Sequence, residues 1–350
     1  MGNIPIIFIL IAFFASAAVT WIAGIHLTKT TDSLDTRFKI GDALGGLILL
    51  GITGSLPEIA VVSSAAIHGH IPVIIGNLIG GLSIQTLLLV IFDFATRGKR
   101  PLSYLAGSIT LFFETMFAIL IAILALIGTF VPQEKSIFNF NPLTIAIVIA
   151  WVSGLFLINK IREVARFNKV ASDASPGRKH IERRRVENHP FYAKKKTIYV
   201  LLIFVLSSVA TLIAGFLLEE TGTEIANVFG IGSGIFAATV LALVTSLPEI
   251  STGLESVFIG DNQLAISDIF GSNAFMLAVF FLADLLAEKP VLSNAGNQGT
   301  IFAALGIAMM SVYGVTFLLK LKNRYLRLGL DSILVVILYI VGIFALQKIM

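Results

Sequence analysis

Of the 350 residues, 56% are hydrophobic and only 13% charged, and the mean hydropathy is +0.92. A soluble domain carries about 25% charged residues, so a chain with so few cannot clothe its surface in water, and a soluble globular protein is excluded. The absence of cysteine excludes disulfides, thiolate metal centres and cysteine nucleophiles, while the net charge of +4 tells less than where the charges fall.

Crossing a hydrocarbon core of about 30 Å takes about 20 apolar helical residues, and the apolar runs here are far longer than a barrel strand. In chain order they predict ten spans, near 4–24, 41–67, 71–94, 104–128, 142–160, 197–218, 230–258, 263–287, 299–319 and 329–347. The first lacks a basic leader and is long enough to be a span itself, so no cleaved signal peptide is expected. The second and seventh are glycine-rich and contain Pro57 and Pro248.

With ten spans the connecting loops alternate between two faces. One face carries 22 lysines and arginines, 12 of them between Lys160 and Lys196, and the other carries only Lys135, Lys289 and Lys348. By the positive-inside rule the basic face is cytoplasmic, which puts both termini outside, as in a multi-pass protein of a plasma or inner membrane. The hydrophilic segment 161–196 reads as a basic linker against anionic lipid head groups. It has nothing specific to nucleic acid.

The chain also repeats itself. At a constant offset of 191, residues 41–94 match 232–285 without a gap and with eleven identities. Five are consecutive: Ser55-Leu56-Pro57-Glu58-Ile59 against Ser246-Leu247-Pro248-Glu249-Ile250. The others are Gly41/Gly232, Leu50/Leu241, Gly69/Gly260, Ile75/Ile266, Gly80/Gly271 and Asp93/Asp284. Each copy belongs to a set of five spans, an odd number, so the second enters the membrane from the opposite side. The predicted fold is an all-α membrane protein of ten transmembrane helices in two inverted five-helix repeats, residues 1–160 and 197–350, joined by the linker 161–196. Asp93 and Asp284 read as acids at helix ends, at the membrane interface.

Glu58 and Glu249 lie inside apolar spans, where an isolated carboxylate is costly and marks an ion or proton path. The prolines before them remove the N–H groups that would bond the carbonyls of Thr53 and Val244, so each span is expected to break there and free main-chain oxygens. Ser55, Thr245 and Ser246 add hydroxyls on the same turns. Two oxygen-rich broken helices brought together by inverted symmetry make a site for a hard cation. Two glutamates match the charge of one Ca²⁺, which takes about 6–8 oxygens. Without a cation the pair repels itself and is driven towards protonation. In the next span of each copy, Asn77, Gly81 and Gln85, and likewise Asp268, Ser272 and Met276, step by four along one helical face. Asn77, Gln85, Asp268 and Ser272 are expected to face the carboxylates, with Ser83 and Asn273 as weaker candidates. Glu114, whose counterpart is Leu305, reads as a locally hydrogen-bonded acid. His68 and His70 read as a chance pair in a short loop.

Thr245-Ser246-Leu247-Pro248-Glu249 followed by Gly271-Ser272-Asn273 resembles the second signature repeat of the sodium/calcium exchanger family, and Gly54-Ser55-Leu56-Pro57-Glu58 followed by Gly76-Asn77 and Gly80 resembles the first. The resemblance covers nearly the whole chain, as a divergent member of prokaryotic type. It implies ten helices, alternating access, Ca²⁺ held by the two motif glutamates and Na⁺ in overlapping sites. Gly54 stands where the family has threonine and joins the expected site by its place in the motif. Gly81 and Leu82 replace Ser-Asn, while Gln85 and Met276 replace oxygen ligands, so side-chain oxygens expected around Na⁺ are missing. Asp268 replaces an asparagine and restores a charge.

The expected activity is exchange of Ca²⁺ for Na⁺, or for H⁺ through the same glutamates, with no resident cofactor and no enzymatic reaction. A membrane hydrolase is disfavoured by the lack of an aspartate dyad, a Ser/His pair or a zinc-type His-Glu motif in the spans. A non-transporting structural protein is the remaining alternative.

Overall fold

The structure, a computed structural model, describes residues 5–38, 51–172, 191–192 and 194–349. The first part of the second expected span, with the repeat positions Gly41 and Leu50, and most of the linker 161–196 lie outside the described residues.

Among the described residues, seven helices are long and apolar enough to cross a membrane, and a bent pair makes an eighth. The seven are α1 (Ile6–Phe38), α3 (Ile71–Ala95), α5 (Ile109–Gly128), α6 (Pro142–Ser172, its apolar part Pro142–Ile161), α7 (Thr197–Val228), α10 (Asn262–Ala287) and α11 (Gly296–Leu319). The bent pair is α8 (Ser233–Thr245) and α9 (Leu247–Ile259). Two shorter apolar helices, α2 (Leu56–Ile67) and α12 (Leu330–Ile349), fall within the second and tenth expected spans. A further short helix, α4 (Leu102–Ala106), is cut from α5 at Gly107, where the backbone turns extended and the Ser108 hydroxyl caps α5 by accepting from the Leu111 N–H. The 104–128 span is therefore two helices.

Helices α1 and α7 outrun their apolar stretches, which end near Gly24 and Leu218. In α1 the polar extension is held by hydroxyls that bond back along the helix, Thr28 to the Gly24 carbonyl and Thr30 to that of His26. Near its end Arg37 donates to the main-chain oxygens of Tyr192 and Lys195 and to the Thr197 hydroxyl, which docks the start of α7 on α1. A two-stranded antiparallel hairpin, β1 (Arg324–Tyr325) and β2 (Leu328–Gly329), joins α11 to α12.

The core is assembled by close helix crossings. Helices α1 and α7 pack along one another, as do α7 and α2, and α5 lies against α6, α10 and α11. At the centre α3 crosses α8. A π turn in each, Gly76–Gly80 and Ala237–Leu241, forms the contact. Any side chain at Gly76 would collide with the Gly234 carbonyl oxygen, and one at Gly80 with Ala238, so glycine is required for the backbones to meet.

Asp93 and Asp284 stand in the last turns of α3 and α10, as expected for helix-end acids, and both are buried within the protein. Asp93 accepts from the N–H groups of Leu102 (2.7 Å) and Gly329 (2.6 Å) and from the Ser332 hydroxyl (2.8 Å). Asp284 accepts from the N–H groups of Val291 (2.7 Å) and Asn141 (3.1 Å). Asp93 therefore ties the start of α4 to the hairpin and the start of α12, and Asp284 ties the loop after α10 to the start of α6. A bond from a neutral donor to a charged acceptor contributes about 1.5–3 kcal/mol. Asp93→Ala is expected to lower the thermal unfolding midpoint in detergent by several degrees, while Glu134→Ala, on an exposed turn, leaves it unchanged within about 0.5 kcal/mol; equal midpoints would show that Asp93 does not anchor these loops.

Candidate cation site

Both motif copies adopt the same local structure. The chain is helical over 51–54, breaks at Ser55 (φ −96°, ψ 17°), and resumes as α2 with Pro57 at its start and Glu58 in its first turn. Likewise α8 ends at Thr245, Ser246 (φ −86°, ψ 9°) makes the break, and α9 resumes at a bend of 48° with Pro248 at its start and Glu249 in its first turn. Proline is suited to a first helical turn because its missing N–H has no intrahelical partner there. A carboxylate in that turn also faces the positive end of the helix dipole. The break thus creates the one place along each apolar segment where a buried acid finds some favourable field.

The breaks are tighter than expected. The Ser55 N–H still bonds the Gly51 carbonyl (3.2 Å) and the Ser246 N–H that of Ala242 (3.1 Å). The Val244 carbonyl, expected to be freed by Pro248, is taken by a backbone N–H at the cap of α8. Side chains therefore dominate the polar character of the site.

Glu58 has no exposed surface and Glu249 is buried. Glu249 lies within range of the charges of both Glu58 and Asp268. None of the four carboxylate oxygens of Glu58 and Glu249 has a hydrogen-bond partner. The Thr245 hydroxyl lies beside Glu58 but donates to the Ala242 carbonyl (3.2 Å). Ser55 and Ser246 are buried on the same turns. Two buried carboxylates without hydrogen-bond partners cost several kcal/mol each, a cost that a positive charge between or upon them would offset.

A cavity of about 200 Å³ reaches this place, room for about six waters at roughly 30 Å³ each. Gly54, Ser55, Glu249, Asp268 and Ser272 line it, as expected, together with Gly271. Glu114 also lines it, so this acid belongs to the cavity wall and not only to its own helix. Thr28, Thr53, Thr252 and Ser267 add hydroxyls that the sequence reading missed. For Thr252 a signal existed: it stands three residues after Glu249, on the same helical face. No atom lies within 4 Å of a side chain built at Gly54 or at Gly271, so these glycines widen the cavity.

Glu58, Thr245, Ser246 and Gln85 are not on the cavity wall, and neither is Asn77. Asn77 lies in the π turn of α3. An extra residue in a turn rotates the rest of the helix, so Asn77 and Gln85 do not share one face as a uniform step of four assumed. Asn77 is nonetheless fully buried and neither of its amide atoms has a partner. Gln85 donates to the Ser272 hydroxyl (3.1 Å). Ser83 is buried without a partner for its hydroxyl, and Asn273 reaches Thr86 (3.4 Å).

The departures at 81 and 276 are one feature. A side chain at Gly81 would meet the Met276 methyl at 2.6 Å, so the thioether fills the space that a serine would use. At the repeat offset of 191, Gly81 corresponds to Ser272 and Met276 to Gln85. The contacts Gln85–Ser272 and Gly81–Met276 are thus the same contact made twice, once polar and once apolar.

This is a multi-pass integral membrane protein with two buried acids in broken helices, one of which, Glu249, lines a cavity. Residues 8–172 and 199–347 match the family model described as sodium/calcium exchanger protein. The chain belongs to that family, a family of membrane cation/calcium antiporters. It is 27% identical over 282 residues to the putative antiporter CaxA of Alkalimonas amylolytica, covering 79% of this chain and 81% of that protein. It is 22% identical over 301 residues to the inner membrane protein YrbG of Escherichia coli (strain K12), covering 85% and 84%. Among solved structures, the fold is similar to the H⁺/Ca²⁺ exchanger CAX at 15% identity (TM-score 0.64, covering 99% of this chain and 89% of that one). It is also similar to the sodium-calcium exchanger NCX_Mj at 18% identity (TM-score 0.57, covering 97% and 98%).

The Gly81–Met276 fit has a direct consequence. Gly81→Ser is expected to destabilise the protein by about 1 kcal/mol or less, because the Met276 methyl it meets ends a flexible side chain that can shift, and Met276→Ala is expected to cost less in the Gly81→Ser chain than in the parent. Thermal unfolding of the two single variants and the double variant measures it; additive losses would refute the shared space.

Proposed function

We propose that this chain is a secondary antiporter that carries Ca²⁺ through the Glu58–Glu249 pair by alternating access, with Na⁺ as counter-ion. The observation that carries this reading is the pair itself: two buried carboxylates, one from each proline-broken segment, within range of each other's charge and without hydrogen-bond partners. A hard divalent cation neutralises both and accepts oxygens from Ser55, Thr245, Ser246 and Asp268, with Ser272, Gln85 and Asn77 around them. Gly54 contributes room rather than a ligand side chain.

H⁺ as counter-ion is the second reading, and the Gly81–Met276 contact favours it. A methyl group and a glycine stand where the resemblance leads one to expect oxygen ligands for Na⁺. Carboxylates need no such ligands to take up protons.

Ten spans in two inverted halves divided at 161–196, both termini external and a basic linker on anionic lipid complete the proposal. Support for the inverted symmetry comes from the twin contacts Gln85–Ser272 and Gly81–Met276 and from the parallel roles of Asp93 and Asp284. Support for alternating access comes from an asymmetry between equivalent positions. Leu264, Asp268 and Gly271 of α10 are exposed, whereas their counterparts Val73, Asn77 and Gly80 of α3 are buried. One half is open while its counterpart is sealed, and exchanging the two conformations opens the other side.

Reconstituted into vesicles, the protein is expected to take up Ca²⁺ against an imposed Na⁺ gradient at clamped pH, and Glu58→Gln or Glu249→Gln to abolish it. Uptake that responds only to a pH gradient establishes the H⁺ reading, and uptake unchanged in both variants refutes the site. The chain lacks cysteine, so single thiols report access directly. Leu264→Cys is expected to react with an impermeant maleimide from the basic-loop side and Val73→Cys to stay protected until ion conditions reverse the conformation. Equal labelling of both in every condition contradicts alternating access.

A further inference from the structure

A second cluster of ligating groups lies at the turn between α2 and α3. His68, His70 and Glu219 each offer one nitrogen or carboxylate oxygen, and these atoms all lie within 4.8 Å of one another. Glu219 stands on α7 just past its apolar run and is fully buried. His68 and His70 are partly open to solvent, which leaves a path for an ion.

The carboxylate is oriented before any ion arrives. The Ser64 hydroxyl donates to Glu219 Oε2 (2.7 Å) and the Thr223 hydroxyl to Oε1 (3.1 Å). His68 Nδ1 lies 3.4 Å from Oε2 and His70 Nδ1 lies 2.7 Å from Oε1. Tetrahedral zinc with bonds of about 2.0–2.2 Å needs its ligand atoms roughly 3.3–3.5 Å apart. The first of these separations already fits. The second is a hydrogen bond that opens by less than an ångström when the metal replaces the proton. Hydroxyls that hold a ligating carboxylate from behind are what metal centres use to fix ligand direction.

Two imidazoles and one carboxylate suit Zn²⁺, Co²⁺ or Ni²⁺, whereas Ca²⁺ prefers six or more oxygens. We infer that His68, His70 and Glu219 form a binding site for a divalent d-block cation of the Zn²⁺ class, separate from the carboxylate pair. Glu58 and His68 are ten residues apart on and just past α2, about 15 Å along a helix. The bound ion ties the α2–α3 turn to α7, with water completing its coordination.

The test uses the full-length protein in detergent carrying Glu58→Gln and Glu249→Gln, so that the carboxylate pair is silenced and the result does not depend on the transport reading. Calorimetric titration with Zn²⁺ is expected to give one site, and Co²⁺ to give the visible bands of tetrahedral coordination. Adding His68→Ala and His70→Ala is expected to abolish the bands and weaken Zn²⁺ binding at least tenfold. Both changes are at partly exposed positions, and thermal unfolding without metal verifies the fold. Ser64→Ala is expected to weaken binding about 10–100-fold. Zn²⁺ binding that persists without the two histidines, or that equimolar Ca²⁺ displaces, overturns the inference.

Discussion

The structure turns on two like charges buried face to face. Each of Glu58 and Glu249 incurs a desolvation cost of several kcal/mol, and their mutual repulsion adds to it. Nothing in the described surroundings offsets this through hydrogen bonds to the carboxylate oxygens. The fold accepts the cost by placing both acids in first helical turns, where the local dipole favours negative charge, and by leading a cavity to one of them, Glu249. A protein interior that stores an unmet demand for positive charge is suited to binding a cation and poorly suited to remaining empty.

Bringing the two breaks together requires close backbones elsewhere. The α3–α8 crossing, with Gly76 and Gly80 against Gly234 and Ala238, supplies that approach. The π turns at this crossing shift the register of the helical residues beyond them. That is why Asn77 is absent from the cavity wall while Gln85 reaches across to Ser272. The same geometry makes Met276 fill the place above Gly81. Away from the centre, Asp93 and Asp284 fasten loops to the starts of α12 and α6, a task that needs a buried acceptor and explains acids so deep in the protein.

Much of this is legible in the residues alone. The membrane class, most helix positions and the paired motif follow from hydropathy and from the offset of 191, because a bilayer imposes length and apolarity on every span. Ser55, Glu249, Asp268 and Ser272, singled out by the repeated motif, do line one cavity, and Glu58 lies within range of the Glu249 charge. The sequence does not indicate where helices continue beyond apolar residues, as α1 and α7 do, since side-chain hydroxyls and docking contacts sustain them. It also misleads about His68 and His70, whose partner Glu219 is some 150 residues away in the chain.

What the residues determined alone is local and periodic: which segments enter the membrane, where proline breaks them, and that an acid stands just after each break. What only the tertiary structure decided is long-range. It set which hydroxyls line the cavity, that Glu114 joins them, that Met276 packs over Gly81, and that two histidines meet a buried glutamate. The reason is physical. Hydropathy and backbone chemistry act within a few residues, whereas the direction of a side chain depends on helix rotation, and one π turn is enough to change it.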